Sequence, residues 1–326
     1  TAAGSITSVG GNVVLNSDTD TATSAGGGIR LLGTVISAGG NITLGGGTDP
    51  AVSSAIATAT SDSDGIKIDG GTLDAAAGNI SLRGFSALDD GVEIQNGATV
   101  LTTSGNISLT GSSTFDDGIS FESGAIVQTT SGAITLNGTT ASATGDDGIT
   151  ISDAGTTVTA ASGSISFTGV ASSGDGVDIL ADAVVSSTGT ATIMINGTST
   201  AMTETGVKLR GANTQITSVD GNITITGTDN NTVGVFITTG VEISSTGTGA
   251  SAASITITGN GAAGIDIISA GTSITSVDGN ILLNGTGNTF EGIVISDATI
   301  SSTGTTSDAA TITLDSTSTA NDAVLL

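Results

Sequence analysis

One word, a glycine followed by apolar-x-apolar, returns ten times along the chain. It reads Gly28-Ile29-Arg30-Leu31, Gly65-Ile66-Lys67-Ile68, Gly91-Val92-Glu93-Ile94, Gly118-Ile119-Ser120-Phe121 and Gly148-Ile149-Thr150-Ile151, and continues at Gly176, Gly206, Gly234, Gly264 and Gly292. Successive copies are separated by 37, 26, 27, 30, 28, 30, 28, 30 and 28 residues. A low-complexity tract without structure does not keep such a register. A second word, Gly-Asn-apolar-x-apolar, recurs as Gly40-Asn41-Ile42-Thr43-Leu44, Gly78-Asn79-Ile80-Ser81-Leu82 and Gly105-Asn106-Ile107-Ser108-Leu109, with degenerate copies at Ile193/Ile195 and Ile255/Ile257. A third places a lone apolar residue five positions before that glycine, as at Ile6, Val35, Leu73, Val100, Val127, Val158, Ile216 and Ile274. Each period therefore carries three short segments of period-two alternation, the pattern of strands with one buried face.

Three strands of four or five residues cannot bury their apolar faces alone, but stacked neighbours can. The constant order of the words makes like strands stack in parallel. The sequence thus predicts an all-β parallel β-helix, or β-solenoid, of about eleven coils of roughly 28 residues with three short strands per coil. Parallel crossovers favour right-handed winding, and the rod would be roughly 50 Å long at ~4.8 Å per rung. In the glycine-led word the middle slot holds Arg30, Lys67, Glu93, Ser120, Thr150, Asp178, Lys208, Phe236, Asp266 and Val294, whereas its flanks hold only Ile, Val, Leu and Phe. The middle slot is therefore expected to face water and the flanks the core. A narrow core also explains why aromatic residues are so scarce, since Trp would overpack it.

The whole chain, 1–326, is expected to be a single solenoid. Residues 1–184 carry one-coil repeats, with a longer loop near 45–64 around the only proline, Pro50. Residues 185–326 carry a two-coil super-repeat. There Thr217-Ser218-Val219-Asp220-Gly221-Asn222-Ile223 returns 58 residues later as Thr275-Ser276-Val277-Asp278-Gly279-Asn280-Ile281.

Composition narrows the function. With no Cys and no His, thiolate and imidazole ligation of zinc, haem or iron–sulfur clusters is excluded. So are Ser-His-Asp and Cys-His catalysis. A net charge of −25 with only five basic residues opposes nucleic-acid binding. No apolar run approaches the ~18 residues of a membrane-spanning helix, so no membrane insertion by this segment is expected.

Words such as Ile216-Thr217-Ser218-Val219-Asp220-Gly221-Asn222-Ile223-Thr224-Ile225-Thr226-Gly227 resemble those of the large bacterial β-strand-repeat and filamentous-haemagglutinin-like surface proteins, over nearly the whole chain. The resemblance implies an extracellular, cell-surface location and a structural or adhesive role without catalysis.

The most site-like feature is the acidic turn before the glycine-led word: Asp89-Asp90, Asp116-Asp117, Asp146-Asp147 and Asp175, with Asp64 one coil earlier. In-register coils would stack Asp90, Asp117 and Asp147 at ~4.8 Å, and Ca²⁺ with its oxygen ligands would relieve their repulsion. The competing reading is that Asp before Gly forms an Asx-type turn and faces water. The asparagines Asn12, Asn41, Asn79, Asn106, Asn222 and Asn280 invite a glycan reading, several lying in Asn-x-Ser/Thr sequons. They equally suit a hydrogen-bonded ladder between rungs. The Thr/Ser column Thr43, Ser81, Ser108, Thr135, Ser166, Thr224, Thr256 and Thr313 suggests a binding face for ice or a cell-surface glycan, though Leu282 interrupts it. Paired carboxylates can cleave glycosides, but a sugar groove needs aromatic or basic subsites that this composition does not supply, so the chain is not expected to be an enzyme. Finally, Ile6, Val13 and Leu15 at one end and Val324 and Leu326 at the other carry core words without a capping element. Open strand edges template further chain, so head-to-tail self-assembly into a filament, or continuation of a longer shaft, is expected.

Overall fold

The computed structural model describes residues 4–17, 27–58, 64–249, 252–304 and 310–326. All strand pairs are parallel, and the strands fall into three sheets visited in the same order in every turn. Among the described residues, the first sheet, from Ser5–Thr7 to Thr299–Ser302, has eleven strands. The second, from Val13–Ser17 to Ile312–Ser318, has twelve, and the third, from Ile29–Leu31 to Val324–Leu325, has eleven. The chain is a β-solenoid of about ten turns with a repeat of about 29 residues. Among the described residues no helix is long and apolar enough to cross a membrane.

Register follows the sequence words. The lone apolar slot forms a column, Ile6, Val35, Leu73, Val100, Val127 and Val158, each paired to the next. The second sheet aligns Ile107 with Ile134 and Leu109 with Leu136, and the third aligns Ile119 with Ile149 and Phe121 with Ile151. Away from the ends these residues are fully buried, Phe121 and Phe167 included. Fully burying each such side chain contributes about 1.5–3 kcal/mol, and like-on-like stacking lets every coil reuse its neighbour's cross-section.

Three features depart from the sequence reading. The first-sheet strands have a second inward slot, filled by Thr102, Thr129, Ser187, Ser218 and Ser276, so the interior is not wholly aliphatic. Four of these five hydroxyls are satisfied at the corner, where for example Thr102 Oγ1 donates to the Gly105 carbonyl at 2.6 Å and Gly132 N–H donates to Thr129 Oγ1 at 3.0 Å, whereas Ser276 Oγ has no hydrogen-bond partner. Second-sheet strands mostly run seven residues rather than four or five, passing through an in-register glycine column that includes Gly84, Gly111, Gly138 and Gly169. There the second sheet comes into backbone contact with the start of the third. A Cβ on Gly138 would overlap the Gly148 carbonyl oxygen and sit 2.6 Å from Ile149 Cγ1. Lastly, the wide interval around Pro50 is a detour inside one rung. Ile42–Gly46 pairs with Val13–Ser17 along its length but with Ile80–Leu82 only as far as Leu44. The chain then swings out through Pro50, and Ala55–Ala57 takes up the pairing against Gly84, Phe85 and Ser86; residues 59–63 of the predicted loop lie outside the described residues.

The middle slot of the third sheet corrects another expectation. It is a water-facing row only in part: Arg30 is exposed and Lys67, Thr150, Lys208, Phe236, Asp266 and Val294 are half-buried, but Glu93 and Ser120 are each 7% exposed and Asp178 only 1%. The register puts Lys67 opposite Glu93 and Asp178 opposite Lys208, so the row packs against itself and against the acidic turn beside it.

A buried carboxylate ladder as candidate functional site

The acidic turns of Asp89-Asp90, Asp116-Asp117 and Asp146-Asp147 begin where the strands Ile80–Ser86, Ile107–Ser113 and Ile134–Thr140 end on a buried hydroxyl. Ser86 Oγ accepts from Leu88 N–H (3.1 Å) and Asp89 N–H (2.9 Å), and Ser113 Oγ accepts from Phe115 N–H (3.2 Å) and Asp116 N–H (3.0 Å). Ser113 also donates to the Asp89 carbonyl, and Thr140 to that of Asp116, each at 2.6 Å, so the turns are tied rung to rung. This hydroxyl fold-back fixes where the following carboxylates point.

The predicted column exists, and it is largely withdrawn from the surface. Asp117 N–H donates to Asp90 Oδ1 at 3.0 Å, Asp147 N–H to Asp117 Oδ1 at 2.6 Å and Asp175 N–H to Asp147 Oδ1 at 2.6 Å. The ladder ends on Thr205, whose N–H and hydroxyl both donate to Asp175 Oδ1. Asp90 is 7% exposed and Asp175 2%, with Asp117 and Asp147 half-buried between them. These carboxylates are therefore not surface Asx turns facing water. Each uses one oxygen to satisfy the next rung's backbone and turns the other toward its neighbours.

That second oxygen creates the electrostatic problem of the site. Burial, reinforced by the Asp117 charge, holds the Asp90 carboxyl well above the usual carboxylate range. Burial pushes Asp117 up to about 7, with the hydrogen bond it accepts from Asp147 N–H pulling the other way. Asp147 goes up to about 9, through burial and then the charges of Asp175 and Asp117. Asp116 is pushed to about 6 by burial and Asp146. At each flank a basic residue intervenes. Lys67 Nζ pairs with Asp64 Oδ2 at 3.1 Å and more closely with Glu93. At the far flank Lys208 Nζ lies 3.0 Å from Asp175 Oδ2 and 3.2 Å from Glu204 Oε2, and Arg210 clasps Asp178 through Nη2 at 2.7 Å and Nε at 3.0 Å.

Among the described residues the carboxylates gather in three clusters, within each of which one oxygen per residue lies within 4.8 Å of the others: Asp64, Asp89 and Asp90; Asp90, Asp116 and Asp117; and Asp147, Asp175 and Asp178. Asp90 and Asp117 thus share a cluster, while Asp147 belongs to the one that Lys208 and Arg210 enter. The sequence showed the column but neither this division nor Asp178 and Glu93, which it had assigned to solvent. Cross-strand pairing of Lys67 with Glu93, and of Lys208 with Asp178, was the available signal.

The other sequence candidates resolve differently. The asparagines form a ladder: Asn41 N–H donates to Asn12 Oδ1 (2.9 Å), Asn79 N–H to Asn41 Oδ1 (2.9 Å), Asn106 N–H to Asn79 Oδ1 (2.8 Å) and Ala133 N–H to Asn106 Oδ1 (2.9 Å). Their side-chain carbonyls are thereby committed to the backbone. The Thr/Ser column is in register but contains Met194, 40% exposed, as well as Leu282. At the ends, Ile6 is 44% and Leu326 80% exposed, Leu15 and Val324 are half-buried and Val13 is buried. Comparison of the chain with protein families, with curated proteins and with solved structures gave no match.

Proposed function

We propose that the chain is a non-catalytic structural segment of a bacterial cell surface: a stiff β-solenoid shaft or filament element that lengthens by adding rungs. The observation that carries this reading is the unbroken register of all three sheets, with the same slot of the same word stacked at every step. Such a body transmits length and stiffness along one axis. A further rung, from continuing chain or from another copy, would find the same aliphatic rows and unpaired strand edge that every internal rung meets. A heterologous contact of that kind grows without closing. The charge of −25 keeps such rods apart laterally. The carboxylates that meet do so with one oxygen already bound to backbone N–H groups, which suits a scaffold better than a substrate groove.

Electron microscopy of the purified chain, with sedimentation over a range of concentrations, tests the reading. Unbranched rods, in lengths stepping by roughly 50 Å per copy, and a concentration-dependent sedimentation profile are expected. A compact particle whose sedimentation ignores concentration would overturn self-stacking. Antibody raised against the chain should label intact source cells; labelling only after lysis would overturn the surface location.

A further inference from the structure

We propose that the turn formed by Asp64, Asp89, Asp90, Asp116 and Asp117 binds Ca²⁺, and that the Asp147 cluster of the same ladder does not. A group of acids makes no site unaided. What points to a ligand here is Asp64, whose side chain is 1% exposed. Its Oδ1 is sealed from water and has no hydrogen-bond donor, and Oδ2 has only the Lys67 ion pair. One of its oxygens lies within 4.8 Å of oxygens of both Asp89 and Asp90. A buried carboxylate oxygen that has lost water and gained no donor carries an uncompensated desolvation cost. A cation placed among these oxygens returns what was lost.

The donor set selects the ion. Every side-chain donor is a carboxylate oxygen, which suits hard cations and not zinc or copper. Ca²⁺ bonds oxygen at 2.3–2.6 Å, so two ligands across one ion stand up to about 5 Å apart, whereas Mg²⁺ at 2.0–2.1 Å tolerates only about 4.2 Å. Oxygens gathered within 4.8 Å of one another fall inside the shell of the larger ion, and donors spread over successive rungs suit its irregular coordination better than the strict octahedron of Mg²⁺. Asp90, common to two clusters, would link them, and solvent reaching the half-buried Asp89 and Asp116 can complete the shell.

Charge separates this turn from its counterpart. Asp64, Asp89, Asp90, Glu93, Asp116 and Asp117 face one ammonium, that of Lys67. Around Asp147, Asp175, Asp178 and Glu204, four acids meet two positive groups, Lys208 and Arg210. The protein's own side chains take the place of the ion in one cluster and leave it to be supplied in the other. The inference stands apart from the structural reading above, since a shaft needs no ion and a calcium site needs no filament.

Isothermal titration of the purified chain with CaCl₂ and with MgCl₂ at constant ionic strength tests it, alongside thermal melting followed by circular dichroism. The key variant is D89N/D116N, which removes two carboxylates and leaves the Asp90–Asp117 backbone ladder intact. D220N/D315N removes two exposed charges elsewhere. Saturable heat with Ca²⁺, a higher melting temperature with Ca²⁺ than with Mg²⁺, at least tenfold weaker Ca²⁺ binding in D89N/D116N and unchanged binding in D220N/D315N are expected. Absence of heat, an equal response to Mg²⁺, or Ca²⁺ binding undiminished in D89N/D116N would each overturn the proposal.

Discussion

Replacing Asp117 by Asn should stabilise this protein at alkaline pH. The Asn keeps a side-chain oxygen for Asp147 N–H, the bond that Asp117 Oδ1 accepts at 2.6 Å, while removing the ionisable group. The Asp117 carboxyl titrates at about 7 in the fold against an ordinary value of 3.8. Each pH unit between the two is worth about 1.4 kcal/mol. At pH 8 the group is ionised in both folded and unfolded chains, and the fold carries a cost on the order of 4 kcal/mol. At pH 5 the folded carboxyl is protonated while the unfolded one is still ionised, and the cost falls to roughly 1.5 kcal/mol. Because the folded value is raised, stability is highest below pH 4 as far as this group is concerned and declines as pH climbs through 7. The variant should lack that decline. Urea unfolding in EDTA, followed by far-ultraviolet circular dichroism because the chain has no Trp or Tyr, measures the difference. We expect D117N to gain on the order of 2–4 kcal/mol at pH 8 and less than half of that at pH 5. No gain at pH 8, or the same gain at both values, would refute the burial argument for this residue.

Two further outcomes concern the scaffold. Gly138→Ala puts a methyl group onto the Gly148 carbonyl oxygen and within 2.6 Å of Ile149 Cγ1. Because both neighbours belong to the packed corner between two sheets, a loss of roughly 3 kcal/mol or more and faster amide exchange in the adjoining rungs should follow; unchanged exchange would show that the corner can yield. Asn106→Ala should cost about 1 kcal/mol by leaving Ala133 N–H without its acceptor, and Asn106→Asp, which keeps that oxygen, should recover most of it. Paired thermal melts check the order of the three proteins.

Repetition sets some features firmly from sequence. The spacing of Gly65, Gly91, Gly118 and Gly148 fixes the turn length, and alternation at Ile107/Leu109 or Ile149/Ile151 fixes which face is dry. A one-residue slip would turn every aliphatic row toward water, so register, sheet order and core rows all follow from local pattern. The Asn ladder was within reach for the same reason, since identical residues in identical slots must meet. The acidic turn had the same regular spacing, and that correctly stacked Asp90 over Asp117.

What the pattern could not supply was the environment of that stack. Whether a turn carboxylate meets solvent depends on how the preceding strand bends and how closely the next sheet passes. Here Gly111 and Gly138 let the second sheet press against Gly118 and Gly148, and the Ser113 and Thr140 hydroxyls fold the turn inward. Only the folded chain decided that Lys67 would reach both Asp64 and Glu93, and that Lys208 and Arg210 would neutralise the far cluster. The sequence by itself determined the winding, because hydrophobic periodicity acts along the chain. Tertiary structure decided the charge balance of the turn, because burial and pairing between rungs act across it.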